Sequence, residues 1–460
     1  MRPSGQPLPA EPELKRSVTL LEATIYGVGV IFGAGIYALI GETAGIAGNA
    51  MWLSFILAAL IAAFTALSYA ELSSIFPKSA AEYIYTKNAF HSKPFAFLIG
   101  WIMLLTGITA VSTVALGFGG YFAALSGIPL LPVALFVIAA LSFLNFWGIK
   151  ESARANIIFT LIESAGLVLI ILIALPYFGS VDYFALPAGA ASAVPDIFTF
   201  LSPVALAAGL IFFAYLGFED MVNISEEIND ARKNVPRALL LALAISTVVY
   251  ILVAISVVSV VPYEELASSP APLSLVAEKA LGSSAGFLLA IIALFATANT
   301  VLVMLIAASR RLYGMAKESS LPKALARVHK TRRTPHIAVL ATFILSCVFA
   351  IIAYIIQTAS TSAIETIALM TNMGLFIMFA SVNLSVIALR RSVPDNERGF
   401  KIPINFRNVP ITAVLGILIC LAFLTQFSAP VNILGIEMPL FIPSLSLFAL
   451  GIPVYWLLRQ

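Results

Sequence analysis

The stretch Gly27-Val28-Gly29-Val30-Ile31-Phe32-Gly33-Ala34-Gly35-Ile36 lies near the middle of the first long apolar segment. It is poor material for a helix, because each glycine in a helix interior costs about 1 kcal/mol relative to alanine. In a bilayer, backbone that leaves the helical ladder must be buried in protein or line a polar cavity, since lipid offers its N–H and C=O groups no partners. Gly33 to Ile36 therefore reads as a break in a transmembrane helix, with exposed backbone that binds something. A plainer reading stands beside it: Gly29-x-x-x-Gly33 also fits the motif by which small residues let helices pack closely.

The rest of the chain places this stretch in a membrane. Sixty per cent of the 460 residues are hydrophobic and 11 % are charged, with a mean hydropathy of +1.01; a soluble domain carries about 25 % charge. Apolar segments fall at about 19–41, 50–76, 94–125, 130–148, 155–178, 197–222, 236–262, 284–309, 335–357, 363–389, 409–428 and 439–458, each near the roughly 20 residues a span needs. That gives twelve spans and one membrane domain. Residues 1–17 read as a disordered cytoplasmic tail. With the N-terminus inside, only Lys279 among 26 Lys and Arg residues falls on the outer side, which satisfies the positive-inside rule and puts both termini in the cytoplasm. The inner loop from Arg310 to Arg333 is the most basic. Cys347 and Cys420 lie in apolar runs without neighbouring ligands. No cofactor, metal or nucleic-acid partner is indicated, and neither a Walker loop nor a nucleophile elbow supports an enzyme.

The sixth span repeats the oddity of the first. In Phe212-Phe213-Ala214-Tyr215-Leu216-Gly217-Phe218-Glu219-Asp220 an aromatic run with a glycine is followed by two carboxylates. Spans 1 and 6 are oppositely oriented and five spans apart, and paired interruptions of this kind point to an inverted-repeat secondary transporter with a midplane site. The helix start beyond a break offers free N–H groups to a carboxylate, while unwound carbonyls attract a cation, so together they suit a zwitterion. Charges deep in a span cost at least about 2.5–3.5 kcal/mol and call for a reason. Glu163, roughly 15 Å into span 5, is the most isolated. Glu219 and Asp220 are candidates for proton relay or ammonium contact. Glu22 and Glu71 read as interfacial or paired with inner-loop cations.

At these residues the chain resembles the amino acid, polyamine and organocation (APC) transporter superfamily. The matches are Val28-Gly29 through Gly33-Ala34-Gly35-Ile36, Tyr69-Ala70-Glu71-Leu72 with Phe76-Pro77-Lys78-Ser79, Gly148-Ile149-Lys150-Glu151-Ser152-Ala153-Arg154, and Phe213-Ala214-Tyr215-Leu216-Gly217-Phe218-Glu219. Arg311-Leu312-Tyr313-Gly314-Met315-Ala316 and Leu369-Met370-Thr371-Asn372-Met373-Gly374 follow in the second half. The style is closest to cationic-amino-acid-transporter-type and broad prokaryotic members. The resemblance implies an all-α, leucine-transporter-like fold of twelve transmembrane helices. Its 5+5 inverted repeat would cover 18–178 and 196–391, with spans 1 and 6 interrupted, and spans 11–12 over 408–460 would be free to form a homodimer contact. It also implies that backbone at Ala34, Gly35 and Ile36 holds a substrate carboxylate, that Phe213, Ala214 and Leu216 face its amino group, and that the Phe213 ring gates the site. Glu219 matches a position implicated in proton sensing. The chain departs from the family at Glu163, where many proton-coupled relatives carry a lysine that touches the broken first helix. An ionised glutamate there repels the carbonyls that a lysine would attract, so Glu163 is either protonated and donating a hydrogen bond or helps bind a cation.

The expectation is a secondary amino acid transporter of the cell membrane, proton- or sodium-linked, in which spans 1, 2, 6 and 7 rock against the rest. Val30, Ile31, Phe213 and Tyr215 suggest an apolar to aromatic pocket for neutral amino acids; Glu219 keeps cationic amino acids, polyamines and exchange open. A channel or a non-transporting amino acid sensor are the rivals from other classes.

Overall fold

Thr19 starts the first helix. Its hydroxyl accepts from the Glu22 amide at 3.3 Å while the Glu22 carboxylate accepts from the Thr19 amide at 2.8 Å, a reciprocal cap that satisfies two donors every helix start leaves open. Helix α1 (Leu20–Phe32) ends at Gly33, whose φ of −23° and ψ of −157° leave the helical region, and α2 (Ala34–Ala47) resumes at once. The computed structural model describes residues 13–187, 197–269, 271–359, 363–428, 430–433 and 436–458. Of the tail expected over 1–17, residues 1–12 lie outside this set. Leu14 is buried, and the Ser17 and Val18 amides donate to the Glu227 carbonyl.

The first half continues with α3 (Met51–Ile75), α4 (Ala81–Phe90), α5 (Lys93–Ser126), α6 (Leu130–Trp147) and α7 (Ile149–Ala174). Helix α8 (Ile197–Ile211) tightens into a 3-10 turn over Phe212–Tyr215 and, past Leu216 and Gly217, restarts as the short α9 (Phe218–Met221). Then come α10 (Ala231–Val260), α11 (Tyr263–Ser268), α12 (Pro272–Leu281), α13 (Ser283–Lys317), α14 (His336–Ala359), α15 (Ala363–Ser392) and α16 (Ile411–Leu424). The last helices are α17 (Phe441–Ala449) and α18 (Gly451–Leu457). Helix α3 lies along α10, α5 along α13, and α1 packs against α7, α10 and α13.

Among the described residues, ten helical stretches are long and apolar enough to cross a bilayer, so the chain is a multi-pass membrane protein. The last two expected spans are shorter. Helix α16 has 14 residues, roughly 21 Å of rise against a hydrocarbon core of about 30 Å. The final stretch is split between α17 and α18. Gly451 sits against the Trp101 ring, which a Cβ would strike, and Pro453 withholds an amide donor. Two small antiparallel hairpins, Asn405–Phe406 with Val409–Pro410 and Pro430–Ile433 with Ile436–Pro439, interrupt an otherwise helical fold.

The inner loop expected from Arg310 begins later, because α13 runs on to Lys317 and buries Arg310 and Arg311 completely. Both guanidiniums find carboxylates: Arg310 meets Glu227 at 2.9 Å and Arg311 meets Asp220. Glu71 of α3 is likewise paired, with Arg390 and Arg398 at 2.5 Å each, and it also accepts from the Ile402 amide at 2.9 Å. Lys279, the one cation expected outside, pairs with Glu265 at 2.9 Å. Removing one member of a buried pair costs about 3–5 kcal/mol because the other is left uncompensated. Glu71→Ala strands two guanidiniums and is expected to lower the melting temperature of the detergent-purified protein sharply. An unchanged transition would show that this network does not hold α3 to the segment after α15.

Candidate functional site

The two interruptions meet face to face. A Cβ added to Gly35 would lie 2.8 Å from the Ala214 Cα, and one added to Gly217 would run into the Val30 side chain. Gly217 also has φ +112°, in the left-handed region that side chains avoid. Glycine is therefore needed at both points for backbone to approach backbone. Tyr250 of α10 lies across the crossing: its hydroxyl is 2.5 Å from the Ile31 carbonyl and 3.1 Å from the Ala214 carbonyl, and its one proton serves both. The Ala34 amide donates to Thr300 Oγ1 of α13 at 3.3 Å.

Beside the crossing is a cavity of about 90 Å³, several times the roughly 10–15 Å³ that a single water requires. Val30, Ile31, Gly33, Ala34 and Gly35 form one wall, and Phe213, Ala214, Leu216 and Gly217 form another. Helices α5, α13 and α15 close it with Met103, Thr106, Thr300, Met304, Thr371 and Leu375. Two residues expected here do not reach the wall. Ile36 is turned away and fully buried, and Tyr215 donates its hydroxyl to the Phe55 carbonyl at 3.0 Å. Of the three amides expected to receive a carboxylate, that of Ala34 is engaged by Thr300; Gly35 and Ile36 follow in the first turn of α2, where amides lack partners within the helix. Of the expected carbonyls, Phe213 accepts from the Leu216 amide at 3.2 Å and Ala214 faces Tyr250.

One end of the cavity is charged. Glu219, Asp220 and Arg311 all reach it. Glu219 Oε2 accepts from the Gly217 amide at 2.8 Å, which ties the carboxylate to the break itself. Arg311 donates to Asp220, and its Nε stands 3.9 Å from Glu82, a carboxylate of α4 that also accepts from Tyr69 and Asn223 at 3.3 Å. Asp220 and Glu82 thus flank one guanidinium, with Glu219 at the same end of the cavity, and all four side chains are nine-tenths buried or more.

Glu163 does not reach the cavity. It is fully buried behind α1, where α7 packs against α1 and α13. Its Oε1 accepts from Asn299 Nδ2 of α13 at 3.0 Å, and its backbone carbonyl accepts from the Tyr37 hydroxyl at 3.1 Å. The broken α1 therefore has two ionisable neighbourhoods, Glu219 on the cavity side and Glu163 on the far side.

A family model described as amino acid permease matches residues 18–448. The chain belongs to the amino acid permease family. It is 31 % identical over 432 residues to the branched-chain amino acid permease BcaP of Bacillus subtilis (strain 168), a match covering 89 % of this chain and 88 % of that one. It is 31 % identical over 439 residues to the methylthioribose transporter of the same strain, again covering 89 % and 88 %. A vacuolar cationic amino acid transporter 4 from Arabidopsis thaliana is 28 % identical over 411 residues, 83 % of this chain and 64 % of that one. The APC resemblance read from the motifs of both halves agrees with this membership.

Several residues of the permease's site escape sequence reasoning. Tyr250, Asn299 and Thr300 sit in long apolar helices without local oddity, and Arg311 reads as the edge of a basic loop. The one signal for Arg310 and Arg311 is that Leu312-Tyr313 and Met315-Ala316 carry the apolar pattern on past them, with no proline before Pro322. Forcing extra atoms into a tight contact costs about 1–3 kcal/mol. Gly35→Ala and Gly217→Ala are accordingly expected to destabilise the permease and to cut uptake by about tenfold or more at that cost. Gly117→Ala, where a Cβ meets nothing within 4 Å, is the control and is expected to leave uptake unchanged without any loss of stability. Equal behaviour of all three variants in a thermal-shift and uptake comparison would refute the close crossing.

Proposed function

We propose that this permease is a secondary active transporter that carries amino acids across the cell membrane by alternating access, coupled to protons. The observation that carries the reading is the crossing of two interrupted helices beside an internal cavity. One break supplies the first-turn amides of α2, with positive dipole for a carboxylate. The other supplies carbonyl groups and, one turn on, Glu219 and Asp220 for an ammonium. Val30, Ile31, Met103, Phe213 and Leu216 line the space between with apolar surface, which favours neutral amino acids. The relatives named for branched-chain amino acids and for methylthioribose, each carrying an apolar group on a polar body, fit that lining.

The packing also supports a 5+5 inverted repeat. Helix α5 packs on α15 as α13 packs on α7, α5 on α14 as α13 on α6, and α1 on α10 as α8 on α3. Exchanging the first five spans for the second five maps each contact onto its mate. Within such a repeat, α1–α2, α3, α8–α9 and α10 form the moving bundle. Helices α16–α18 stand outside it, free to form a homodimer contact, and the distribution of Lys and Arg supports cytoplasmic termini.

A second reading, exchange of cationic amino acids or polyamines, is favoured by the two carboxylates on the cavity wall. Uptake into proteoliposomes across a panel of labelled amino acids, under imposed proton or sodium gradients, separates the two. Accumulation of neutral amino acids driven by a proton gradient is expected; saturable counterflow of cationic substrates with no response to either gradient would favour the exchanger, and flux without saturation would overturn both. Glu163→Gln is expected to abolish accumulation while leaving exchange partly intact. PH-dependent uptake like that of the wild type in this variant would remove Glu163 from coupling.

A further inference from the structure

Asn299 holds the centre of a fully buried polar chain behind α1. Its Nδ2, with two protons, has three acceptors in reach: Glu163 Oε1 at 3.0 Å, Thr160 Oγ1 at 3.1 Å and the Gly29 carbonyl at 3.4 Å. Its Oδ1 accepts from Asn156 Nδ2 at 2.8 Å. Each end of the chain has one oxygen to spare, because Glu163 Oε2 and Asn156 Oδ1 are buried without a hydrogen-bond partner. Leaving a buried polar atom unsatisfied costs about 1–3 kcal/mol. Two such atoms at opposite ends of one connected chain point to a second arrangement of the same groups.

Turning both amides over supplies one that engages the Asn156 oxygen. A side-chain amide rotated by half a turn exchanges its donor and acceptor ends with little change of shape. With Asn299 turned, its Oδ1 faces Glu163 and Thr160, and its Nδ2 faces Asn156, whose spare oxygen then accepts. An ionised carboxylate only accepts and therefore selects the arrangement observed here; a protonated one gains an O–H donor, which on Oε1 is met only by the turned arrangement. The two differ at α1. At a helix end the Gly29 carbonyl would accept from the Gly33 amide, as Leu72 does from Phe76 at the end of α3, but no such bond forms at this break. Only the first arrangement offers it the Asn299 donor. A Cβ on Gly29 would strike Thr160 Oγ1 and lie 2.8 Å from Asn299 Nδ2, so the approach requires glycine.

We propose that Asn299 is the positioning residue through which the protonation state of Glu163 reaches the broken end of α1: its amide turns over when Glu163 takes up a proton and withdraws its donor from the Gly29 carbonyl. This rests on Glu163 as the coupling group. The proton comes from water and stays on the carboxyl; the amides rotate and exchange none. The titratable groups facing Glu163 are the hydroxyls of Tyr37 from α2 and Tyr250 from α10. The charges of the other packed elements are remote or paired. On α13, Arg310 and Arg311 begin roughly 16 Å of rise beyond Asn299 and are held by Glu227 and Asp220. Glu151 and Arg154 lie at the start of α7, Glu22 lies at the start of α1, the basic residues of α10 cluster in its first two turns, and Glu278 and Lys279 of α12 are exposed.

The test is an infrared pH titration of the purified full-length protein with isotope-labelled asparagine. The expected result is a carboxylic acid band that titrates together with an asparagine amide band, both changes disappearing in Glu163→Gln. A carboxyl band that titrates with no accompanying amide change overturns the proposal, as does the absence of a titrating Glu163 band. This measurement uses the wild-type protein and does not depend on transport. Co-titration without proton-dependent uptake would therefore fault the transport reading, and proton-dependent uptake without co-titration would fault this one. In proteoliposomes, uptake limited by one protonating group falls about tenfold per pH unit on its alkaline limb. Asn299→Ala is expected to flatten that limb to less than about twofold per unit, and adding Asn299→Ala to Glu163→Gln is expected to change the pH profile no further. A wild-type slope in Asn299→Ala, or additive losses in the double variant, would overturn it.

Discussion

The carbonyls of Val30 to Phe32 have no donor left within α1 because it ends at Gly33, and the Gly29 carbonyl lacks the usual bond from the Gly33 amide. Inside a bilayer such groups must be met by protein. The structure meets two of them from outside α1: Asn299 of α13 donates to Gly29 and Tyr250 of α10 donates to Ile31. The first amide beyond the break is met by Thr300, one residue from Asn299. A break in the first helix is thus stable only because α10 and α13, both from the second half of the chain, stand against it. The opening at α8 depends on the same tyrosine through Ala214, so one hydroxyl serves both interruptions.

Charge follows the same rule of supply from a distance. Arg310, Arg311 and Glu71 would each be costly alone in an apolar interior, yet each joins two elements that are remote in sequence. Arg310 ties α13 to the turn after α9 through Glu227, and Arg311 ties it to Asp220 of α9 and leans toward Glu82 of α4. Glu71 ties α3 to the end of α15 and the segment beyond it. Of these groups Asp220 and Arg311 line one end of the cavity, together with Glu219, while the opposite side of α1 carries Glu163. The asymmetry gives the broken helix a well-neutralised face and a face whose single carboxyl is balanced by amides and hydroxyls alone.

That contrast explains why Glu163 and Glu219, both glutamates beside a break, are placed so differently. Glu219 is bound to the Gly217 amide at the cavity edge, in the same cluster as a guanidinium. Glu163 is held by Asn299, with one oxygen left unpartnered. A group whose neighbours are rotatable amides can change its hydrogen-bond role with little movement of backbone, whereas Glu219 is tied to a backbone amide of the break itself.

The sequence by itself determined the membrane class, the approximate limits of ten long helices and the position of both breaks, because hydropathy and glycine placement are local properties that a bilayer reads directly. It also located the part of the cavity wall that the two breaks supply: Val30, Ile31, Gly33, Ala34, Gly35, Phe213, Ala214 and Leu216 all lie on it. It did not reach Tyr250, Asn299 or Thr300, whose hydroxyls and amides look ordinary within apolar helices. It also read Arg310 and Arg311 as loop cations. Only the tertiary structure decided these, since the partner of each lies far along the chain: Ile31 is 219 residues from Tyr250 and Gly29 is 270 from Asn299. Hydrogen bonds and ion pairs across such separations leave no periodic trace in the sequence; they exist only once packing has brought two helices together.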